Sequence, residues 1–550
     1  MSMMSLLAMI LIAAIPLSLV LAAIPAGVYS RLVHFSELQR WRCAWVGVQL
    51  VAAITLALIA ITVTVGLPVR PESGRRVHDV LTHLFSLDLI RLVLLALLSV
   101  MGLVVVKFSK RYLSGDPAVG RYLRWLLLTL AAVALVFISN HLVLFAAGWI
   151  AISLSLHQLL MFFPERPRAA LGAHKKFLLA RVAEISLLTA FWLLWRQHGT
   201  TSIDEIIAAY AVPVDLSLEE QVAAVLIAVT ALIKCAQLPV HGWLIQVVEA
   251  PTPVSALLHA GVINLGGFLL ILFAPLFLQV PAAQWLVLIV AGLTTVLAAL
   301  IMTTRISIKV RLAWSTSAQM GLMLVECALG MLELALLHLL AHSAYKAHAF
   351  LTTGSEVQQH IRRSLVTIQQ PAARHWWLAL IPALILTSLA AYLSSLTHAT
   401  AQPLSVWLLL MLALTALVAM RSAAVGWFSS VLLAIGVTAA YVVLKTALTP
   451  VVGTLHPKLL PQMFAAADVW GLVLFAALFA LWWVLRWRAH WTWIERLSIA
   501  LFAGLYLDEW FTRMTLRIWP ARLPRRANPK QTMTVTHQKT YQETVQETGL

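Results

Sequence analysis

One polar run interrupts a long apolar stretch of this chain, and its residue types suit proton movement. It reads Lys234-Cys-Ala-Gln-Leu-Pro239-Val-His241-Gly-Trp and continues through Pro-Thr-Pro to His259. An ionisable group inside a membrane-spanning segment is costly and usually marks an ion or proton path. A proline there frees backbone groups, which suits a broken helix lining a cavity. We therefore expect Lys234 to load and release a proton; a lysine that snorkels to the membrane surface is the structural alternative.

Two oppositely charged residues, Arg181 and Glu184, occur inside another apolar segment. Because they are three residues apart, they share one face of a helix. A carboxylate that changes partners between Arg181 and Lys234 would tune the proton affinity of the lysine. A permanent structural ion pair between Arg181 and Glu184 is the alternative, and the sequence leaves both open.

A third set of polar residues recurs every four positions, at His338, His342 and Lys346. Successive members then lie about 6 Å apart along one helical stripe. Histidine titrates near neutral pH and passes protons between its two ring nitrogens, so the stripe predicts a proton relay. HxxxH spacing can also bind zinc, but a lysine as third member disfavours a cation. We expect no metal and no cofactor; core polar groups that are merely hydrogen-bonded are the remaining alternative.

Five more residues are notable beside these sets. Pro239 marks the break, and His241 and His259 flank it either as relay stations or as hydrogen-bonded core histidines; His259 is expected to be the deeper one. Lys309 stands at a predicted helix start, where an anchoring role is the default. Lys445, late in its apolar segment, is expected to snorkel outward.

The composition places these residues in a membrane. Of the 550 residues, 61% are hydrophobic and 11% are charged, with a mean hydropathy of +0.89. Continuous apolar segments of about 20 residues predict an all-α, polytopic membrane protein and exclude a barrel pattern. Three scattered cysteines and the absence of glycine-rich phosphate motifs exclude a disulfide framework and nucleotide chemistry. The positive charges behind the net charge of +17 lie mainly between the apolar segments. We therefore interpret them as signals of orientation in the membrane and expect no nucleic-acid binding.

The apolar segments predict about fifteen membrane-spanning helices. The basic connections place the N-terminus outside and the C-terminus in the cytoplasm. We expect the membrane to be a bacterial inner membrane. Residues 490–510 predict an interfacial amphipathic helix, and 511–550 a basic, disordered tail. The expected spans are 3–29, 44–67, 85–106, 122–139, 141–163, 174–195, 222–247, 252–274, 282–303, 311–330, 332–353, 376–396, 403–420, 424–447 and 466–485.

Several of these motifs together resemble a known family. The string from Ala250 to Ala260 (APTPVSALLHA), the Lys234-to-Pro239 run, Arg181-Val-Ala-Glu184 and the histidine stripe are similar to the antiporter-like membrane subunits of respiratory complex I and of cation/proton antiporters. The resemblance covers roughly residues 85–360. It implies two inverted five-helix repeats with a broken helix near Pro239. The implied units are 1–121, N-terminal helices; 122–274, first repeat; 275–447, a degenerate second repeat; 448–510, a span and interfacial helix; and 511–550, the tail.

The resemblance also implies residue roles. Glu184 resembles the carboxylate that biases the central lysine, Lys234 resembles that lysine, and the connecting axis consists of His259, His338, His342 and Lys346. The chain departs from the family at two points: Gly148-Trp149 is followed by Ile150 in place of a glutamate, and residues 376–396 contain no lysine. A long C-terminal lateral helix also has no counterpart. These departures argue against membership of an ordinary respiratory complex.

Within this family the chain is most similar to the membrane subunits of two-component inorganic-carbon accumulation systems. That resemblance implies a subunit, not itself an enzyme, that conducts protons or another monovalent cation to energise uptake of CO2 or bicarbonate. The implied partner is a soluble, zinc-containing DabA-like subunit at the cytoplasmic face. A respiratory proton pump, a Na+ or K+/proton antiporter and a non-conducting membrane anchor are the alternatives.

Overall fold

The protein is described by a computed structural model covering residues 3–27, 36–65, 76–355, 361, 372–397, 403–420, 426–453, 464–487 and 491–520. Within these ranges the regular structure is helical, with two isolated β-bridges. The α-helices are α1 Met3–Gly27, α2 Glu37–Val65, α3 Arg76–Leu84, α4 Leu89–Tyr112, α5 Val119–Ile138, α6 Leu142–Leu160, α7 Pro167–His198, α8 Ile203–Ala209, α9 Leu218–Lys234, α10 Gly242–Gln246, α11 Thr252–Ala260, α12 Leu265–Leu272, α13 Ala274–Phe277, α14 Pro281–Thr303, α15 Ile308–Ala328, α16 Leu332–Leu351, α17 Ala373–Thr397, α18 Leu404–Ala419, α19 Trp427–Gly453, α20 Phe464–Trp487, α21 Thr492–Phe502 and α22 Glu509–Ile518.

Each of the fifteen predicted spans overlaps at least one of these helices. Among the described residues, eleven of these spans have a helical stretch long and apolar enough to cross a membrane by length and composition. The other four are α9, α15, α16 and α18. Of these, α9 has 17 residues and α18 has 16, while α15 and α16 carry the polar residues singled out above. The prediction of an all-α, polytopic membrane protein is confirmed.

Helix α9 begins with a strong capping signal and ends at the central lysine. The Ser217 side chain accepts a hydrogen bond from the Glu220 backbone, and the Glu220 side chain accepts one from the Ser217 backbone. This capping box satisfies donors that a helix start otherwise leaves unpaired. The helix ends at Lys234, and α10 does not begin until Gly242. The predicted break near Pro239 is therefore present.

Neighbouring helices supply partners for the backbone of the break. The Leu238 N–H donates to Thr294 Oγ1 of α14 at 3.0 Å, and Ser317 Oγ of α15 donates to the Ala236 carbonyl at 2.9 Å. The Gln237 side chain donates to the Cys235 carbonyl at 2.7 Å. Buried backbone groups need such partners in an apolar medium, so α14 and α15 hold the turn open.

Helix α7 is longer than the sequence pattern indicated. It begins at Pro167, where the missing N–H and fixed φ suit a first helical turn, and it runs for 32 residues. Lys175 and Lys176 stand at the very start of the predicted span 174–195, but they lie well inside this helix and both are buried. They belong to the protein interior, so they are candidates for chemistry.

The C-terminal segment comprises two helices. Where one amphipathic helix was expected at 490–510, α21 ends at Phe502, a short 3-10 turn follows at Gly504–Tyr506, and α22 runs from Glu509 to Ile518. Helix α22 packs along α7, with the Trp519 ring stacked on the His174 ring at 3.8 Å. The disordered tail was predicted to begin at residue 511, but residues 511–518 belong to α22. From residue 521 onward the predicted tail lies outside the described residues.

Candidate functional site: a chain of buried polar groups

The break between α9 and α10 adjoins a small cavity of about 30 Å³. Lys234 lines it, and its Nζ lies 4.6 Å from the centre of the Trp149 ring. Glu184 and Lys176 from α7 and Ser153 from α6 line it as well. The volume suits about one water molecule, and the lining offers several polar partners. Two sequence-predicted residues, Lys234 and Glu184, are thus brought together.

Ser153 connects the charged groups of this cavity. Its hydroxyl accepts from Lys176 Nζ at 3.2 Å and from Arg181 Nη2 at 3.1 Å, and its carbonyl accepts from Lys176 at 2.6 Å. Lys176 was absent from the predicted site because α7 was expected to start later. We refer to Ser153, Lys176, Arg181, Glu184 and Lys234 as the central cluster.

Arg181 and Glu184 form the ion pair that their spacing allows. The Nη2–Oε1 distance is 2.7 Å, with Glu184 almost fully buried and Arg181 one-third exposed. The guanidinium also lies over the Phe177 ring at 4.6 Å. Because the carboxylate lines the same cavity as Lys234, its charge acts on both cations. The geometry is compatible with either a structural pair or a carboxylate that exchanges partners.

Helix α16 presents the predicted stripe to the protein interior. His342 is 5% exposed and Lys346 is fully buried, while the His338 and His342 rings lie 6.2 Å apart. Neither ring nitrogen of His342 has a hydrogen-bond partner among the described residues. Lys346 Nζ donates to the Leu312 carbonyl at 3.0 Å. A buried histidine without partners is costly in a structural role, which favours the relay interpretation.

His259 joins the stripe from α11. It is fully buried; its Nδ1 lies 3.1 Å from Thr316 Oγ1, and its ring stacks on Phe350 at 4.4 Å. Its Nε2 has no partner among the described residues. Helix α11 packs against α16, so His259 joins His338, His342 and Lys346 in one cluster of polar groups.

A buried carboxylate that sequence reasoning missed ends this stripe. Glu326 of α15 is 5% exposed, and both of its oxygens lie 3.1 Å from His338 Nδ1. The other ring nitrogen of His338 lies 2.8 Å from Gln319 Oε1. A neutral imidazole donates from one nitrogen only, so each change in the proton count of His338 changes which bond it can donate. The pair is suited to accepting and releasing protons.

The supporting residues are spread around the break. His241 is 1% exposed, its ring lies 4.8 Å from the Trp314 ring, and its Nδ1 has no partner among the described residues. Pro239 is exposed at the outer side of the turn. Lys309 Nζ donates to Thr252 Oγ1 at 3.0 Å and so joins the start of α15 to the start of α11.

Lys445 does not snorkel. It is 1% exposed on α19, with its Nζ 5.7 Å from the Trp407 ring and 6.0 Å from the Tyr441 ring. It stands five residues before Pro450, the same spacing as Lys234 before Pro239. That repeated spacing was the signal by which the sequence could have marked a second interior lysine.

The described part of the chain contains no group of three or more histidine, cysteine or acidic side chains placed to hold a metal ion. The polar side chains instead form two groups, which are the central cluster and a second set of His259, His342, His338 and Glu326. Within the second set, the His338 ring lies 6.2 Å from the His342 ring and 3.1 Å from the Glu326 carboxylate. The chemistry available to such groups is proton transfer between neutral amines, imidazoles and carboxylates.

Three comparisons bear on what this chain is similar to. The model of the family described as NADH:quinone oxidoreductase/Mrp antiporter, TM, matches residues 139–420. The probable inorganic carbon transporter subunit DabB of Hydrogenovibrio crunogenus is 49% identical over 440 residues, covering 80% of this chain and 84% of that protein. Subunit DabB2 of Halothiobacillus neapolitanus is 36% identical, covering 79% and 80%.

More distant relatives share the central part. NADH-quinone oxidoreductase subunit L of Mycobacterium tuberculosis is 32% identical over 50% of this chain and 45% of its own length. The Mrp complex from Dietzia sp. contains a chain of similar fold, with a TM-score of 0.58 and 19% identity, covering 99% of this chain and 63% of that one. The two DabB relatives are named as probable inorganic carbon transporter subunits, and the family model and these matches together confirm the predicted antiporter-like membrane-subunit family. The chain belongs to the NADH:quinone oxidoreductase/Mrp antiporter membrane-subunit family, together with its DabB relatives.

Proposed function

We propose that this chain is the membrane subunit of a proton-driven uptake system for inorganic carbon, CO2 or bicarbonate. The observation that carries the proposal is Lys234 at the end of a broken helix, in a cavity that it shares with Glu184 and Lys176. The identity of 49% to a protein named as a probable inorganic carbon transporter subunit supports the carbon substrate.

In the proposed cycle, Lys234 accepts a proton in the cavity and the Glu184 carboxylate moves its pairing from Arg181 toward the new charge. The ion pair at 2.7 Å represents the state in which Arg181 holds the carboxylate. The released proton then passes through His259, His342 and His338 to Glu326. Water carries it between groups that are not in contact. The central cluster works as the loading site and the α16 stripe as the lateral path.

The partner in this proposal is a soluble, zinc-containing DabA-like subunit docked at the cytoplasmic face, with the N-terminus of this chain outside and its C-terminus inside. The zinc chemistry of hydration belongs to that partner. One proton crossing 100 mV releases about 2.3 kcal/mol. Proton flow through this chain would displace the hydration equilibrium by at most that amount per proton, plus the pH-gradient contribution.

Growth at ambient CO2 of cells that lack carbonic anhydrase tests the proposal. The chain is co-expressed with its DabA-like partner as wild type, Lys234→Ala and Glu219→Gln, where Glu219 pairs with the exposed Arg196. We expect growth with wild type and Glu219→Gln, and none with Lys234→Ala or with an uncoupler. Growth that survives Lys234→Ala in a complex of normal abundance would instead indicate a non-conducting anchor.

A respiratory or Na+/K+ antiporter role is a second candidate, favoured by the fold similarity to the Mrp complex. It predicts no growth rescue at ambient CO2 and a transport rate in vesicles that depends on sodium or potassium. The same strains, assayed in inverted membrane vesicles with either 100 mM sodium chloride or 100 mM choline chloride, separate the two functions. The equal ionic strength screens surface charge equally, with a Debye length of about 10 Å.

A further inference from the structure

The C-terminal segment brings an acidic side chain to the broken helix. Asp508, just before α22, accepts from Lys175 Nζ at 2.6 Å and from Gln246 Nε2 at 3.1 Å through its Oδ2 atom. Lys175 is fully buried and also donates to Thr512 Oγ1 at 2.6 Å. An ion pair with a fully buried ammonium needs such support, because burying either charge alone is costly. The contact joins α7, α10 and α22 across more than 300 residues of sequence.

The carboxylate lies directly on the backbone of the turn between α9 and α10. A Cβ at position 242 would overlap the Asp508 carboxylate, so Gly242 is what permits the approach. The Oδ1 atom of Asp508 is buried and has no hydrogen-bond partner among the described residues. His241, the preceding residue, is buried with an equally unpartnered Nδ1, and the charges of Asp508, Lys175 and Arg305 all act on it. Beside the break there are thus one carboxylate oxygen, Asp508 Oδ1, and one imidazole nitrogen, His241 Nδ1, that have no hydrogen-bond partner among the described residues.

The central cluster lies on the other side of the same elements. Lys176, the neighbour of Lys175 on α7, lines the cavity with Lys234, and so does Trp243, the neighbour of Gly242. Adjacent residues on a helix point in different directions, so α7 presents one lysine to the cavity and the other to Asp508. With 28% of its side-chain surface exposed, Asp508 connects the face of the protein beside α7 with the elements that line the cavity.

We propose that Asp508 is a proton-exchanging group of the path, standing between that face and the cavity of Lys176 and Lys234. The inference deepens the proposed function and rests on it. The carboxylate takes a proton from water at the surface and becomes a neutral acid. It then gives the proton to the imidazole of His241, which becomes an imidazolium while Asp508 returns to carboxylate. Lys175 keeps the carboxylate in place, and while Asp508 is neutral the Lys175 ammonium keeps its hydrogen bond to Thr512 Oγ1.

The test uses proteoliposomes containing the full chain, with a potassium diffusion potential driving protons toward an internal pH dye. The variants are Asp508→Ala, Asp508→Asn, Lys234→Arg and Glu509→Gln. Glu509 is the matched control because it is adjacent, about half exposed and paired only with the exposed Arg513 in the described structure. Loss of a positioned proton-transfer group typically costs a hundredfold or more, so we expect at least about a tenfold loss of flux in both Asp508 variants and little change in Glu509→Gln.

Chemical rescue separates proton exchange from a purely structural role. Formate is a small weak acid that can occupy the space left by the missing carboxylate. We expect it to raise the flux of Asp508→Ala in proportion to its concentration, and to leave Lys234→Arg unchanged. Wild-type flux in Asp508→Asn, or a low flux in Asp508→Ala that formate leaves unchanged, would overturn the inference while the proposed function stands. A wild-type flux equal to that of empty liposomes would overturn both.

Discussion

The Nδ1 atom of His338 lies 3.1 Å from both oxygens of the Glu326 carboxylate, at a depth where each residue is nearly buried. This pair is the end of the α16 stripe, opposite Lys346 and His259. A carboxylate that accepts from an imidazole in the interior strengthens the donor and fixes the ring orientation. The relationship makes Glu326 the natural terminus of the lateral path in the proposed function.

Replacing Glu326 with glutamine should block proton transfer at that end of the path. The amide keeps the size of the side chain but neither carries the negative charge nor exchanges a proton. We expect proton flux in proteoliposomes to fall at least about tenfold, as for other lost proton-transfer groups. Glu219→Gln is the control, since Glu219 lies far from the stripe in a half-exposed ion pair with Arg196. Equal flux in wild type and Glu326→Gln would remove Glu326 from the path.

Ser153→Ala should reduce flux by releasing Lys176 and Arg181 from the hydroxyl that they share. An unsatisfied buried donor costs about 1–3 kcal/mol, so the melting temperature should also fall. Ser155→Ala is the matched control, because Ser155 is buried on the same helix and bonds Thr129 at 3.0 Å, outside the cavity. We expect comparable destabilisation in both variants and reduced flux in Ser153→Ala alone. Reduced flux in both would indicate a packing effect.

The stability of the junction between α5 and α6 should depend on pH through His141. Burial, and then the nearby His83, lower the pKa of His141. Its Nδ1 accepts from the Val143 N–H at 3.2 Å, a bond that the imidazolium cannot accept. The folded state therefore binds protons less readily than the unfolded one. The stabilisation is present above the usual histidine pKa of about 6.5 and is lost as the pH falls below it.

His141→Asn tests this dependence, since asparagine accepts at a helix start and does not titrate. Loss of one helix cap costs about 1 kcal/mol of stability. We therefore expect the melting temperature in detergent to fall less between pH 7.5 and pH 5 in this variant than in wild type. His348→Asn, at an exposed position in the last turn of α16, serves as control. The same pH-dependent loss in wild type and His141→Asn would show that other groups govern acid stability.

The sequence predicted the interior residues whose neighbours are apolar. Lys234, His342 and Lys346 lie within long apolar segments, so their cost of burial made them visible. Lys176 was missed because basic residues near a span end look like topology signals, and only the start of α7 at Pro167 reveals them as helical. Proline at a first helical position was the available cue.

Two other carboxylates, Glu326 and Asp508, could be recognised as interior residues only from the tertiary structure. Glu326 lies near the end of α15, where a charged residue normally faces the membrane surface. Its burial follows from packing against α16, which the sequence does not encode locally. Asp508 pairs with Lys175 across 333 positions. Sequence spacing carries no information about such a contact, so the C-terminal segment was predicted as an interfacial helix without a role at the break.

The substitution Lys234→Arg tests the central claim most directly. Arginine keeps the positive charge and most of the length of lysine, but it does not deprotonate in proteins. If Lys234 loads and releases protons, the variant should assemble normally and its potential-driven proton flux in proteoliposomes should fall to the level of empty liposomes. Lys309→Arg, at the start of α15, should retain wild-type flux. Flux near wild type in Lys234→Arg would contradict the account, because a permanently charged side chain would then serve as well as lysine.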